Sequence, residues 1–150
     1  MPNTLKDGTQ VDQVIFNELD LAETNPPAVS EKIAVPALYT GRLKVVMVAY
    51  NAVSIHGQVL QTGQSETTEL DPYVGIEYLN KNGATITEKE SYATIPKGNY
   101  TAGKYLCEFS IPQRFLKDIE NGNKVSHIKI KLNYVKATST GKVNAYLLWI

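Results

Sequence analysis

From Leu43 onward, apolar residues recur with a period of two. Leu43, Val45, Met47 and Ala49 alternate with Lys44, Val46, Val48 and Tyr50. This strand is therefore apolar on both faces, as a central strand covered on both sides would be. Ser54–Leu60 reads as a further extended piece. Tyr73–Leu79 follows Pro72 and sets Val74, Ile76 and Tyr78 on one face, with Tyr73, Gly75, Glu77 and Leu79 on the other. Asn80-Lys81-Asn82-Gly83 is a hairpin connection, because Asn and Gly tolerate the left-handed angles of a tight reversal, and Ala84–Thr87 is its expected return. Tyr105, Cys107, Phe109 and Ile111 alternate with Leu106, Glu108 and Ser110, which predicts a half-buried strand with the first set inward. Pro112 opens a short helical turn over Gln113–Glu120 that Gly122 stops. Beyond it, Ile128, Ile130, Leu132 and Tyr134 face inward while His127, Lys129, Lys131 and Asn133 face water. Thr138-Ser139-Thr140-Gly141 turns the chain, and Val143–Ile150 returns as a last strand.

The first 41 residues follow a different pattern. Val11, Val14, Ile15 and Leu19 have the spacing of one helical face after an Asp12 cap, yet the stretch also divides into extended pieces Val14–Phe16 and Leu19–Leu21. Asn25-Pro26-Pro27, and again Pro36, would end any helix, since proline lacks a donor and restricts its predecessor. Residues 1–41 are thus expected to form an arm or irregular lead-in, and residues 42–150 an antiparallel, jelly-roll-like β-sandwich of seven or eight short strands with one helical turn.

Composition narrows the partners. The 150 residues carry 15 Lys+Arg and 15 Asp+Glu, so neither a strongly basic nucleic-acid binder nor a polybasic membrane binder is the default. The charge is uneven along the chain: residues 1–41 hold two cations and six anions, and residues 101–150 eight cations and three anions. Those two ends can attract each other, within a chain or between neighbours. No apolar run approaches the length of a transmembrane helix, and Met1–Gln10 has no signal-peptide core.

No residue pattern announces catalysis. The single cysteine, Cys107, excludes an internal disulfide and a Cys-cluster zinc site, and its inward register makes it a small hydrophobe. His56 and His127 lie on separate strands, so no zinc site is expected. Glu66, Glu69 and Asp71 read as a solvated acidic loop, matching no calcium-loop spacing. There is no G-x-S-x-G elbow and no phosphate loop, and Gly141-Lys142 lacks the rest of a Walker motif. Neither an enzyme nor a cofactor is expected. Lys124, Lys129, Lys131, Lys136 and Lys142 gather on the late strands, but Tyr134 lies inward, so no stacking platform for nucleic acid forms.

Aromatic residues are the remaining lead. Nine tyrosines and one tryptophan stand against three phenylalanines. Tyrosine joins a flat apolar face to a hydrogen-bonding edge, which suits sugar stacking and protein interfaces. Tyr50, Tyr73, Tyr92 and Tyr100 are the candidate contacts for a glycan or partner. Tyr146-Leu147-Leu148-Trp149-Ile150 is apolar in both registers, so Trp149 is expected to be mostly buried, within the domain or against another subunit. The candidate interface comprises Val14, Ile15, Phe16, Leu148, Trp149 and Ile150.

Val45–Val48, Val74-Gly75-Ile76-Glu77-Tyr78, Asn80-Lys81-Asn82-Gly83, Phe109-Ser110-Ile111-Pro112, His127-Ile128-Lys129-Ile130 and Gly141-Lys142-Val143 together resemble a jelly-roll carbohydrate-binding-module pattern over residues 42–150. Similar modules occur in tailed-bacteriophage head fibres, capsid decorations and tail or baseplate proteins. The resemblance implies a non-enzymatic virion structural protein, made in the host cytoplasm, that docks on other virion proteins through its N-terminal arm and self-associates as a homo-oligomer. The alternative that it implies is a module recognising a bacterial surface glycan.

Overall fold

A computed structural model describes residues 11–36, 41–86, 91–112, 116 and 124–150. Its strands are β1 Gln13–Asp20, β2 Ala28–Val29, β3 Ile33–Ala34, β4 Arg42–Ala49, β5 Val53–Ile55, β6 Val59–Gln61, β7 Thr67–Glu69, β8 Tyr73–Leu79, β9 Ser91–Thr94, β10 Gly98–Tyr100, β11 Tyr105–Pro112, β12 His127–Asn133 and β13 Lys142–Trp149. A 3-10 turn, Lys136–Thr138, joins the last two. The helical turn expected over Gln113–Glu120 lies outside the described residues except for Leu116, which is fully buried.

Two sheets form the body. One has the order β1-β13-β4-β11; in the other, β12 pairs with the short β2 and β3 on one side and with β8 on the other, and β9 follows β8. With β2 and β3 counted as one interrupted strand, the principal strands pair first with last, second with seventh, third with sixth and fourth with fifth: β1 with β13, β2/β3 with β12, β4 with β11, β8 with β9. All these pairs are antiparallel. A long hairpin rolled in this way is a jelly roll, the double-sheet solution that leaves few exposed edges. Its core takes Leu43, Val45, Met47, Val143, Ala145 and Leu147 from the first sheet and Val74, Ile76, Tyr78, Ile128, Ile130 and Leu132 from the second. Period-two alternation in β4, β8, β12 and β13 places them there.

The N-terminal region departs from expectation. Over its described residues it is not a free arm: β1 is an edge strand on β13, and β2 and β3 extend β12. Its helix-like spacing has a local cause. Pairing runs Val14 with Tyr146, Phe16 with Ala145 and Leu19 with Val143, so six residues of β1 span four of β13. Two irregularities supply the extra residues, and Glu18 takes φ 52 at the second, its N–H donating to Asn144 Oδ1 at 2.7 Å. Each inserted residue breaks strict alternation and bends the edge.

A bulge also alters β11. Tyr105 opposes Val48 and Cys107 opposes Met47, so Leu106 is extra. Leu106 is buried instead of Tyr105, which was expected inward and is exposed.

Candidate functional site

The outer face of the β12–β8–β9 sheet carries a groove of about 740 Å³. Its floor follows from register. Lys131, Gly75 and Tyr92 lie side by side on β12, β8 and β9, and the neighbouring row is Asn133, Tyr73 and Thr94. Gly75 contributes no side chain, so a gap opens between Lys131 and Tyr92 about two strand spacings wide. A Cβ at Gly75 would meet nothing closer than 3.7 Å. The absence of a side chain there is not required by packing; it leaves space above the sheet.

The walls combine aromatic and polar groups. Tyr73 and Tyr92 pack edge to face, with centroids 6.0 Å apart and planes at 67°. Tyr92 is 69% exposed, the largest value among the exposed large hydrophobic residues. Lys131 Nζ lies 2.7 Å from Glu77 Oε2, and Thr85 Oγ1 donates to Glu77 Oε1. The Lys131 hydrogen bond, followed by that from Thr85, holds the Glu77 carboxyl below its ordinary pKa. The groove thus offers a stacking surface, a carboxylate acceptor and an ammonium donor within one concavity.

The other candidates fall elsewhere. Tyr50 lies on the opposite sheet beside Val48, Tyr105 and Tyr146, around a smaller hollow of about 310 Å³. Tyr100 packs against the core from β10, and its hydroxyl donates to the Pro96 carbonyl. Only Tyr73 and Tyr92 are brought together. Of the candidate interface residues, Phe16 and Leu148 are buried, Val14, Ile15 and Trp149 are half-buried, and Ile150 is exposed. Leu148 and Val14 belong to a small outer cluster with Val11, Val46 and Tyr146, whereas Trp149 leans on the main core.

A second surface went unnoticed in the sequence. β6 and β7 pair only with each other, and residues 58–68 are all exposed. This ribbon stands off the sandwich and shows Val59, 57% exposed, with Leu60 and Leu70. His56 Nδ1 to Glu69 Oε2 at 3.1 Å and Lys97 Nζ donating to the Glu69 carbonyl at 3.0 Å hold its base. The overlooked signal was Val59-Leu60 inside an otherwise polar stretch. For the groove it was Gly75 at mid-strand.

Burial pushes the Cys107 thiol up to about 12, which keeps it protonated and unreactive. Among the described residues no group of three His, Cys, Asp or Glu could hold a metal, and no helix is long and apolar enough to cross a membrane. Lys129 and Lys131 lie on one sheet, Lys142 on the other, and Lys136 in the 3-10 turn, donating to Asn25 Oδ1.

Fold and surfaces together define a jelly-roll domain with a two-tyrosine groove on one sheet and, at its side, a mostly polar ribbon that exposes Val59, Leu60 and Leu70. Comparison with protein-family models, with curated proteins and with solved structures finds no match.

Proposed function

We propose that the protein is a non-enzymatic structural component of a tailed-bacteriophage virion, a head fibre, capsid decoration or tail adaptor, that self-associates and docks on other virion proteins. The observation that carries this reading is the β6–β7 ribbon. A two-stranded ribbon is marginal by itself in water, and one that exposes Val59, Leu60 and Leu70 gains stability when a partner covers it. The jelly roll supports the reading too, since capsid proteins use this architecture repeatedly; fold alone does not specify function. Docking is assigned to the ribbon because β1, β2 and β3 are built into the sheets.

Sedimentation with purified virions tests it. The wild-type chain is expected to pellet with particles, and the Val59→Asp/Leu60→Asp double variant, folded by circular dichroism, to stay in the supernatant. A variant that pellets as well as wild type would remove the ribbon from the account.

A further inference from the structure

We infer that the β6–β7 ribbon of one copy adds as a strand to the free edge of β9 in a second copy, an inference that rests on the ribbon being a docking element. β9 is the last strand of its sheet and pairs with β8 alone. The Ile95 N–H donates to the Pro72 carbonyl, which fixes the phase of that ladder. Ser91 and Ala93 exchange hydrogen bonds with β8, while the N–H and C=O groups of Tyr92 and Thr94 point away from it. The ribbon has a matching edge. Leu70 N–H donates to the Gln58 carbonyl and Thr62 N–H to that of Glu66. Leu60 therefore bonds to β7, and the main-chain groups of Val59 and Gln61 point outward. Among the described residues, the outward main-chain groups of Tyr92, Thr94, Val59 and Gln61 have no partner.

Antiparallel docking sets Gln61 against Tyr92 and Val59 against Thr94, two exchanged pairs that satisfy both edges at once. Opposed residues share a face of the sheet, so Leu60 falls opposite Ala93 on the inner side. Ala93, with Cys107 and Phe109 on the neighbouring edge strand β11, packs against the core but is only half-buried. Leu60, exposed in the ribbon, covers that seam. Two ribbons paired with each other would satisfy the same main-chain groups, but would set Leu60 beside Leu60 with no sheet behind them. An edge of four residues is too short for indiscriminate pairing and selects a strand as short as itself. Each copy carries both surfaces, so the contact is heterologous and builds head-to-tail rows. The ribbon left unpaired at the end of a row is the one that meets another virion protein.

Sedimentation velocity of the purified full chain tests the contact. A strand addition this small is weak between two copies, so it is read up to about 1 mM. The wild-type chain is expected to associate. Val59→Asp/Leu60→Asp, and Thr94→Pro, which removes only an outward N–H, should each sediment as monomers. Their equimolar mixture joins one intact ribbon to one intact β9 edge and should give a heterodimer and nothing larger. Cysteines check the register without proline. With Cys107→Ala in every chain, Leu60→Cys and Ala93→Cys chains should form a mixed disulfide on oxidation, since a non-hydrogen-bonded pair brings its Cα atoms to about 4.5 Å. Thr68→Cys, one strand further away, should not. A wild-type chain monomeric at about 1 mM, association that survives in either variant, a mixture that stays monomeric, or equal cross-linking of Leu60→Cys and Thr68→Cys would overturn the inference. In each case, wild-type chain that still pellets with virions through its ribbon would leave the docking reading standing, so the two failures are told apart.

Discussion

Two side chains show how single groups fix this fold. Tyr134 ends the inward row of β12, and its hydroxyl lies 2.9 Å from the Leu21 carbonyl and 2.6 Å from that of Thr24. It thereby ties the turn after β1 to the second sheet. Burial, with the Asp20 carboxylate nearby, pushes this phenol up to about 12, so the donor persists at every ordinary pH. Tyr134→Phe keeps the ring and strands two carbonyls. We predict a loss of about 1–3 kcal/mol in urea denaturation. Glu77 contributes differently. Its carboxyl is held below the ordinary value of 4.5, so the folded state favours the ionised form. Its contribution is fully present above pH 4.5 and disappears as pH falls through the lowered value. The stability difference between wild type and Glu77→Gln should therefore be present at neutral pH and shrink on acidification below pH 4.5. A difference that grew instead would contradict the ion pair with Lys131.

Elements, rather than residues, decide whether the N-terminal region can be removed. Phe16, Leu21, Ala28 and Ile33 are all in the main core. Losing a buried Phe or Leu side chain costs about 2–5 kcal/mol, against a net stability of about 5–15 kcal/mol. Deletion of residues 1–38 removes β1, β2 and β3 together. The truncated chain should lack a cooperative thermal transition, and a melt at the wild-type temperature would contradict the assignment of these strands to the sandwich. The ribbon has its own weak point at Gly57, where an added Cβ would lie 2.0 Å from the Leu70 carbonyl oxygen. Gly57→Ala must displace that backbone. Faster amide exchange over residues 58–70, with the sheets unaffected, is the expected readout.

The same elements mark what could be read from the sequence. β8, β12 and β13 were legible because alternation there is unbroken and one face of each is core. β1 was half legible, as a helical face or as the extended pieces Val14–Phe16 and Leu19–Leu21, since its irregularities stretch a period of two toward the spacing of a helix. Tyr105 was misplaced for the same reason, by the bulge at Leu106. The groove was half legible. Tyr73 and Tyr92 stood out as aromatic, but joining them to Lys131 and Asn133 needs the register of three strands far apart in the chain. The ribbon was hidden because Val59 and Leu60 matter by failing to be covered, which no local pattern records.

Across the whole molecule, the acidic beginning and basic end of the chain meet within one sheet. Asp20 lies opposite Lys142 where β1 pairs with β13, and Asp12 Oδ2 accepts the Trp149 N–H at 2.6 Å. Both edges of that sheet, β1 and β11, carry irregularities, and the other sheet ends on short strands. Such edges resist indiscriminate strand pairing. Edges of this kind leave the exposed ribbon as the contact on which the proposed virion role depends. Cryo-electron microscopy of virions purified from the host lysate tests that role most directly. The account predicts density for this jelly roll on the particle, with Val59, Leu60 and Leu70 covered by a neighbouring virion protein or a second copy. Particles that lack the protein, or that hold it with the ribbon pointing into solvent, would contradict it.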